Sequence, residues 1–467
     1  MSILGAFDPG AYGTFRFTGV VVDESAGAVD FTYSLVPHEG SDADTLAFTE
    51  RIGFALPEDG PAPDWAAAAP VLPLLGAVLG FSYFKVAAPP RYELDVEGVS
   101  EPARVFVAES LRHGLAEFAY RAGLPGLLDT EVLVTRALAE AAASGDMPVE
   151  RLARPLAPVG GGKDSVVTVE SLRLAGLDVT QFSVNPNAIM RRVAEAAELP
   201  FLAARRTLDP ALFDLNARGA RNGHVPVTAM NSLIALAQSR LLGLGPVVMS
   251  NENSAAEATL IWDGEPVNHQ WSKGLDAELL LASAVEAQTG ERGAYFSLLR
   301  PFTELRIAAK FAQTDRYDRA IVSCNRAFRI SGAEPGWCGV CAKCQFVFLA
   351  LSPFMPRERL VGIVGTDMFE NADLADGFAS LLGLDAHKPF ECVGEEAEST
   401  VAMSLAARSS EWRDTAVVRS LVARAPELLD GDAAMEASLF ADRYAPVMPP
   451  VYAKARDILD PERRAAR

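Results

Sequence analysis

The sequence predicts an α/β protein: a parallel sheet in the middle of the chain, a β-rich α+β unit before it and a helical region after it. Three observations carry that reading. From Arg151 onward, short apolar runs alternate with helical segments, the pattern of parallel strands joined by crossover helices. A run of three glycines, Gly160-Gly161-Gly162, falls between one such strand and one such helix. Hydrophobic residues make up 49% of the 467 and charged residues 22%, a globular balance that excludes wholesale disorder, collagen and coiled coil.

The elements follow in order. Thr14–Val22 and Ala28–Val36 are β-rich runs divided by the turn-like Asp23-Glu24-Ser25-Ala26-Gly27. A polar stretch, Pro57 to Asp64, leads into Trp65–Phe84, an Ala/Leu-rich helix made irregular by Pro70 and Pro73. Its apolar part is shorter than the ~20 residues a membrane span needs, so a buried helix is expected. Arg104–Ala122 has apolar residues at helical spacing and stops at Gly123. The α/β alternation then runs as strand Leu156–Val159, helix Asp164–Ala175, strand Val179–Val184, helix Asn187–Glu198, strand Phe201–Leu208, helix Val225–Leu242 and strand Pro246–Ser250. A further helix is expected over Leu275–Ala287, and the chain beyond about 395 is Ala-, Arg- and Glu-rich and helical. The length suits two or three domains, placed at 1–145, 146–394 and 395–467.

Charge and cysteine usage narrow the function. The net charge of −19 argues against a general nucleic-acid or anionic-membrane binder, while leaving room for a local basic pocket. Only seven of the 42 basic residues are lysine, and three of them, Lys163, Lys273 and Lys343, lie in the motifs below. Met1 to Gly10 has no basic segment leading into an apolar one, so no secretory signal is expected. Four of five cysteines cluster between 324 and 344, which favours metal binding or catalysis in a reducing cytoplasm over structural cross-links.

The glycine run belongs to Pro158-Val159-Gly160-Gly161-Gly162-Lys163-Asp164-Ser165. Glycines let the backbone curl around an anion, and the helix that follows aims free N–H groups at the same point. Lys163 adds a charge and Ser165 a hydroxyl. The spacing is neither that of the Walker loop nor that of the dinucleotide fingerprint. Ser250-Asn251-Glu252-Asn253-Ser254 follows an apolar strand, where polar side chains face ligands, and Asn185 ends a neighbouring strand in the same way. Glu252 is a candidate ligand for Mg²⁺. Val267-Asn268-His269-Gln270-Trp271-Ser272-Lys273 packs donors suited to a carboxylate- and phosphate-bearing substrate. Cys324, Cys338, Cys341 and Cys344 can supply four thiolates to a tetrahedral zinc; reduced core cysteines or an acid/base thiol are the competing readings.

The loop resembles the Ser-Gly-Gly-x-Asp-Ser pyrophosphate loop (PP-loop) of the ATP-pyrophosphatase superfamily, which cleaves ATP between the α- and β-phosphates. Gly160 stands where that loop has serine, so one hydroxyl is lost or replaced. The cysteine cluster is similar to that of the superfamily's 7-cyano-7-deazaguanine synthase branch. Together the four motifs resemble the UDP-N-acetyl-α-D-muramoyl-L-alanyl-L-glutamate epimerase family. That resemblance implies inversion of the terminal L-Glu of UDP-MurNAc-L-Ala-L-Glu through carboxylate adenylation, with release of AMP and diphosphate, in peptidoglycan precursor synthesis. It implies ATP and Mg²⁺, with Gly160, Gly161, Gly162, Lys163, Asp164, Ser165, Asn185, Ser250 and Asn251 around the nucleotide, and Mg²⁺ on Asp164 or Glu252. His269, Lys273, Glu252 and Cys324 are the acid/base candidates. Another adenylating enzyme, an amide- or nitrile-forming synthetase or a tRNA-modifying enzyme, is the alternative; a protein that senses nucleotide without turnover is a third. Small-molecule substrates are the expected partners, with no nucleic acid and no membrane; nothing in the sequence sets an oligomeric state.

Overall fold

The computed structural model describes residues 6–256, 260–327, 336–384, 391, 393–444 and 447–459. Cys392, the fifth cysteine, lies outside them. The described residues form an α/β fold around one ten-stranded sheet, with the strands β1 Tyr12–Asp23, β2 Ala28–Pro37, β3 Leu46–Gly53, β4 Arg91–Leu94, β5 Glu131–Val134, β6 Leu156–Pro158, β7 Thr180–Val184, β8 Phe201–Thr207, β9 Val247–Met249 and β10 Tyr295–Ser297. Across the sheet their order is β10-β9-β6-β7-β8-β3-β2-β1-β4-β5. The pairs from β10 to β8 are all parallel. β8–β3, β3–β2 and β2–β1 are antiparallel, and β1–β4 and β4–β5 are parallel again. The sheet therefore runs across residue 145, because Arg51–Gly53 of β3 pairs with Arg205–Thr207 of β8.

The strands of the parallel half are covered on both faces. Leu156 and Val247 enter one core while their neighbours Ala157 and Val248 enter the other, as alternation along a strand requires. Helices Val227–Leu241 and Leu275–Thr289 cover the first face. Helices Lys163–Ala175, Ala188–Ala197 and Glu304–Phe311 cover the second, together with the helical C-terminal region. Tyr452 returns that region to the sheet, packing on Phe296 and donating to the Leu152 carbonyl at 2.6 Å.

Trp65–Phe84 is long and apolar enough by composition to cross a membrane, but 78% of its apolar window is buried inside the fold. The prolines break it into Trp65–Ala68, a 3₁₀ turn, Leu72–Leu79 and Phe81–Phe84. A Cβ on Gly76 would lie 2.2 Å from Phe17 Cζ, so only glycine lets this helix press onto β1 and β2. Each buried Leu or Val there contributes about 1.5–3 kcal/mol. Arg104–Ala122, expected as one helix, is two, Glu101–Arg112 and Ala116–Ala122. The chain turns at Gly114, whose missing Cβ admits Pro226.

Candidate active site

In the parallel half, β6, β7 and β8 run outward to one side and β9 and β10 to the other, so the winding reverses between β6 and β9. Ligands of such sheets bind at the carboxyl ends flanking that point. A cavity of about 340 Å³ opens there. Its wall is built from the glycine loop after β6, the ends of β7 and β9, Thr228 and Asn231 of one helix, Lys273, and two later segments, Val322–Asn325 and Lys343.

The loop is shaped for an anion. Gly161 has φ of +89°, and its carbonyl accepts from Val322 N at 3.1 Å. Gly162 is the N-cap of helix Lys163–Ala175 and offers no side-chain cap, so the first-turn N–H groups are left for a ligand. A Cβ on Gly162 would lie 2.9 Å from Ser323 Oγ, which places that hydroxyl beside the loop.

Beneath the loop sits a charge cluster. Lys163 is 1% exposed, and its Nζ pairs with the carboxylates of Asp164 and Glu304. Burial opposes its charge, yet the two carboxylates outweigh burial and raise its pKa. Glu304, opposed by burial but held by Lys163, Lys343 and Lys273, falls to about 2. Glu252 and Glu398 go the other way: burial, reinforced by neighbouring carboxylates, pushes them up to about 8 and about 7. Ser250 Oγ and Asn251 Nδ2, at the end of β9, are buried with no hydrogen-bond partner among the described residues. Buried polar atoms at a strand end that lack a hydrogen bond are candidates to meet a ligand.

Arg300 holds this wall in place. Fully buried, it bonds Glu278 through Nε at 2.9 Å and through Nη2 at 2.7 Å, and donates to the carbonyls of Glu252 at 2.7 Å and Lys273 at 2.5 Å. It ties the β9 loop and the Lys273 turn to helix Leu275–Thr289.

Of the residues singled out in the sequence, Gly160, Gly162, Asp164, Ser165, Ser250, Asn251, Lys273 and Cys324 line the cavity. Lys163, Gly161 and Glu252 lie behind that lining. Asn185 spends its amide on the backbone of Arg206, donating to O at 2.8 Å and accepting from N at 2.9 Å, and closes the β7–β8 end. His269 is outside the cavity wall. Its Nδ1 pairs with Glu117, whose carboxylate also lies 3.9 Å from His224 Nδ1 and 2.6 Å from Arg121. The two imidazoles sit 4.8 Å apart between centroids. Glu117 is opposed by burial, but His269, Arg121 and His224 pull it down to about 2; burial and His269 lower His224 to about 4. This unit lies within electrostatic reach of the cavity, since Lys273, which lines it, acts on His224. Cys324, Cys338, Cys341 and Cys344 converge, with all four sulfurs within 4.8 Å of one another.

Sequence reasoning missed Glu304, Glu117, His224 and Ser323. Glu304 and Glu117 reach their partners across 141 and 152 residues, and no local motif surrounds either.

Fold and site define an α/β protein with a cavity and a glycine loop at the reversal of its sheet. Two family models match the chain, the MurL N-terminal domain over residues 6–298 and the MurL C-terminal domain over 320–436. A protein of a Micromonospora species, named UDP-N-acetyl-alpha-D-muramoyl-L-alanyl-L-glutamate epimerase, is 48% identical over 447 residues, covering 94% of this chain and 97% of its own. Proteins of the same name from Salinispora tropica and Xanthomonas oryzae pv. oryzae are 47% and 42% identical, covering 95% and 90% of this chain and 97% and 91% of theirs. The chain belongs to the UDP-N-acetyl-alpha-D-muramoyl-L-alanyl-L-glutamate epimerase family. No solved structure matches it.

Proposed function

We propose that this chain inverts the terminal glutamate of UDP-MurNAc-L-Ala-L-Glu at the expense of ATP, cleaving it to AMP and diphosphate by PP-loop chemistry. The observation that carries the nucleotide part is the convergence of the glycine loop, Lys273 and Lys343 on one cavity at the reversal of the sheet. The identity of the peptide substrate rests on family membership.

The chemistry explains why a nucleotide is needed. A carboxylate beside Cα makes the α-proton nearly impossible to remove, because the enolate would carry a second charge. Transfer of AMP to that carboxylate removes the charge and supplies an electron sink. A base then forms the enolate, a proton returns on the other face, and hydrolysis releases the D-isomer. The loop N–H groups and Ser165 hold the departing diphosphate, and Lys163 contributes its charge from beneath. Ser323, whose hydroxyl lies beside Gly162 and which lines the cavity, is a further donor to the diphosphate. Asp164, which lines the cavity, would hold Mg²⁺, and the cation neutralises phosphate charge when bound. Glu252 is buried behind the cavity lining, and its pKa, raised to about 8 by burial and neighbouring carboxylates, leaves it a second candidate for proton transfer. His269 on Glu117 is the proton-transfer group we favour, because a carboxylate orients the ring as a general base requires and both imidazoles are partly open to solvent. Reduced cysteines and a nucleotide substrate support a cytoplasmic reaction.

Incubation with ATP, Mg²⁺ and UDP-MurNAc-L-Ala-L-Glu in D₂O tests the reading. AMP, diphosphate and D-Glu carrying deuterium at Cα are expected. ADP and phosphate would refute the PP-loop chemistry, and full AMP release with retained L-Glu would leave a ligase or synthetase instead. His269→Gln should keep AMP release while inversion falls by about 10²-fold or more.

A further inference from the structure

Cys324 comes from the segment that lines the cavity, Cys338 and Cys341 from the loop before helix Ala342–Leu351, and Cys344 from that helix's first turn. Their sulfurs lie 4.0 Å apart for Cys324–Cys341 and 3.8 Å for Cys338–Cys344. A disulfide needs about 2.05 Å, and all four thiols are free. A tetrahedral ion with metal–sulfur bonds of about 2.3 Å needs thiolates about 3.8 Å apart. In a cubane cluster each thiolate binds a different iron, so such a cluster would spread them further. Unligated core cysteines have no reason to bring four sulfurs within 4.8 Å of one another, the spacing one tetrahedral ion accommodates.

Two further observations point to a ligand at that centre. Gly339 adopts φ of +66°, turning the Cys338–Cys341 loop so that backbone N–H groups face sulfur. Those of Cys338 and Ala327 face Cys324, those of Asn325 and Cys344 face Cys341, and that of Gly339 faces Cys344. Amides directed at sulfur are the outer shell that a thiolate–metal centre requires. Burial makes the site closed: Cys324, Cys341 and Cys344 are buried and only Cys338 is partly open. Four protein ligands with no open position fit a structural ion, and tetrahedral all-sulfur coordination without redox chemistry fits zinc.

We infer that these four cysteines bind one structural Zn²⁺, and that the ion fastens the far wall of the cavity. Asn325 follows the first ligand and Lys343 precedes the last, and both line the cavity. Val322, two residues before Cys324, is hydrogen-bonded to Gly161 of the glycine loop. The ion thus joins the two segments, Val322–Asn325 and Lys343, that line the nucleotide site beside the glycine loop. It also makes Cys324 a metal ligand, leaving proton transfer to other groups. The metal site stands on its own geometry; only its effect on nucleotide binding rests on the proposed function.

Elemental analysis of full-length protein purified without chelator should find about one zinc per chain, and X-ray absorption should show four sulfur neighbours at about 2.3 Å. Cys338→Ser, at the most open ligand, should lose most of the zinc and raise the KM for ATP at least fivefold. Cys324→Ser should lose zinc, AMP release and thermal stability together. Absence of metal with a normal melting curve, an iron charge-transfer spectrum, or nitrogen and oxygen neighbours would overturn the assignment. A Cys324→Ser enzyme that keeps zinc and AMP release but loses deuterium exchange at Cα would make Cys324 the acid/base and likewise overturn it. Zinc at full occupancy in a protein that cleaves no ATP would leave the metal site standing and refute the proposed function.

Discussion

Lys163 is committed to two carboxylates in a place water does not reach, which fixes what its removal must do. Lys163→Ala strands Glu304 in the interior with Lys343, 3.5 Å away, and the more distant Lys273 to answer it. Breaking a buried pair from one side costs about 3–5 kcal/mol. We expect urea unfolding to register a loss near the lower end of that range, and Lys163→Ala/Glu304→Gln to recover at least half. An additive double mutant would show that the pair is not coupled. Glu398 gives a second test at this scale. Its folded pKa of about 7 lies above the ordinary carboxyl value, because burial dominates, with Glu304 and Glu395 adding to it. The folded state therefore holds that proton more tightly than the unfolded chain does. The stabilisation is complete below about pH 4.5 and is lost as pH rises through 7. His224 works with the opposite sign, but only below about 6.5, where its unfolded form takes up a proton. Between pH 6.5 and 8, Glu398→Gln should thus gain stability relative to the parent chain. A constant difference in Tm across that interval would contradict the assignment.

Among the elements, the glycine loop has the least tolerance. Alanine at Gly161 must hold φ near +89°, a conformation that costs a residue with a Cβ about 1–3 kcal/mol. Gly161→Ala should lower Tm and raise the KM for ATP, whereas Gly160→Ala, whose Cβ meets nothing within 4 Å, should do neither to the same degree. The strand–loop–helix units were legible because each is written in contiguous residues: apolar run, glycine, then helical spacing. Leu156–Pro158, Thr180–Val184 and Val247–Met249 fall inside the stretches expected as strands. Arg91–Leu94, Glu131–Val134 and Tyr295–Ser297, as short as these, went unread because they stand outside the strand–helix alternation that runs from Leu156 to Ser250. The site divides in the same way. The glycine loop, Ser250-Asn251 and Lys273 announced themselves locally. Glu304 looks like any first-turn helix glutamate until the fold brings it under Lys163, and Glu117 like any surface member of a helix until His269 arrives.

At the scale of the whole molecule, the two halves of the sheet meet at β3 and β8. Arg206 of β8 bonds the fully buried Glu50 of β3 at 2.5 Å and Ser82 at 2.8 Å. Burial raises the Glu50 pKa, and Arg206 opposes that rise. Glu50→Ala leaves the guanidinium unanswered at the junction. We expect a loss of about 3–5 kcal/mol, appearing as one cooperative transition shifted to lower temperature. Two resolved transitions in calorimetry would mean that the halves unfold independently.

The hydrogen bond from Val322 to Gly161 also sets an order of events during synthesis. Every strand of the sheet has been made once Ser297 leaves the ribosome, so the sheet's hydrogen-bonding partners are all present by then. The far wall of the cavity is not made until Lys343. At about 5–20 residues per second, the nascent protein spends seconds with every strand made and its phosphate cradle open on one side. Nucleotide cannot act as a folding chaperone through that interval, because a ligand stabilises only the state that binds it. Until Glu304–Phe311 and the C-terminal helices follow, Lys163–Ala175 and Ala188–Ala197 cover the second face of the parallel half alone, so the part of the chain that completes the chemistry also completes the core.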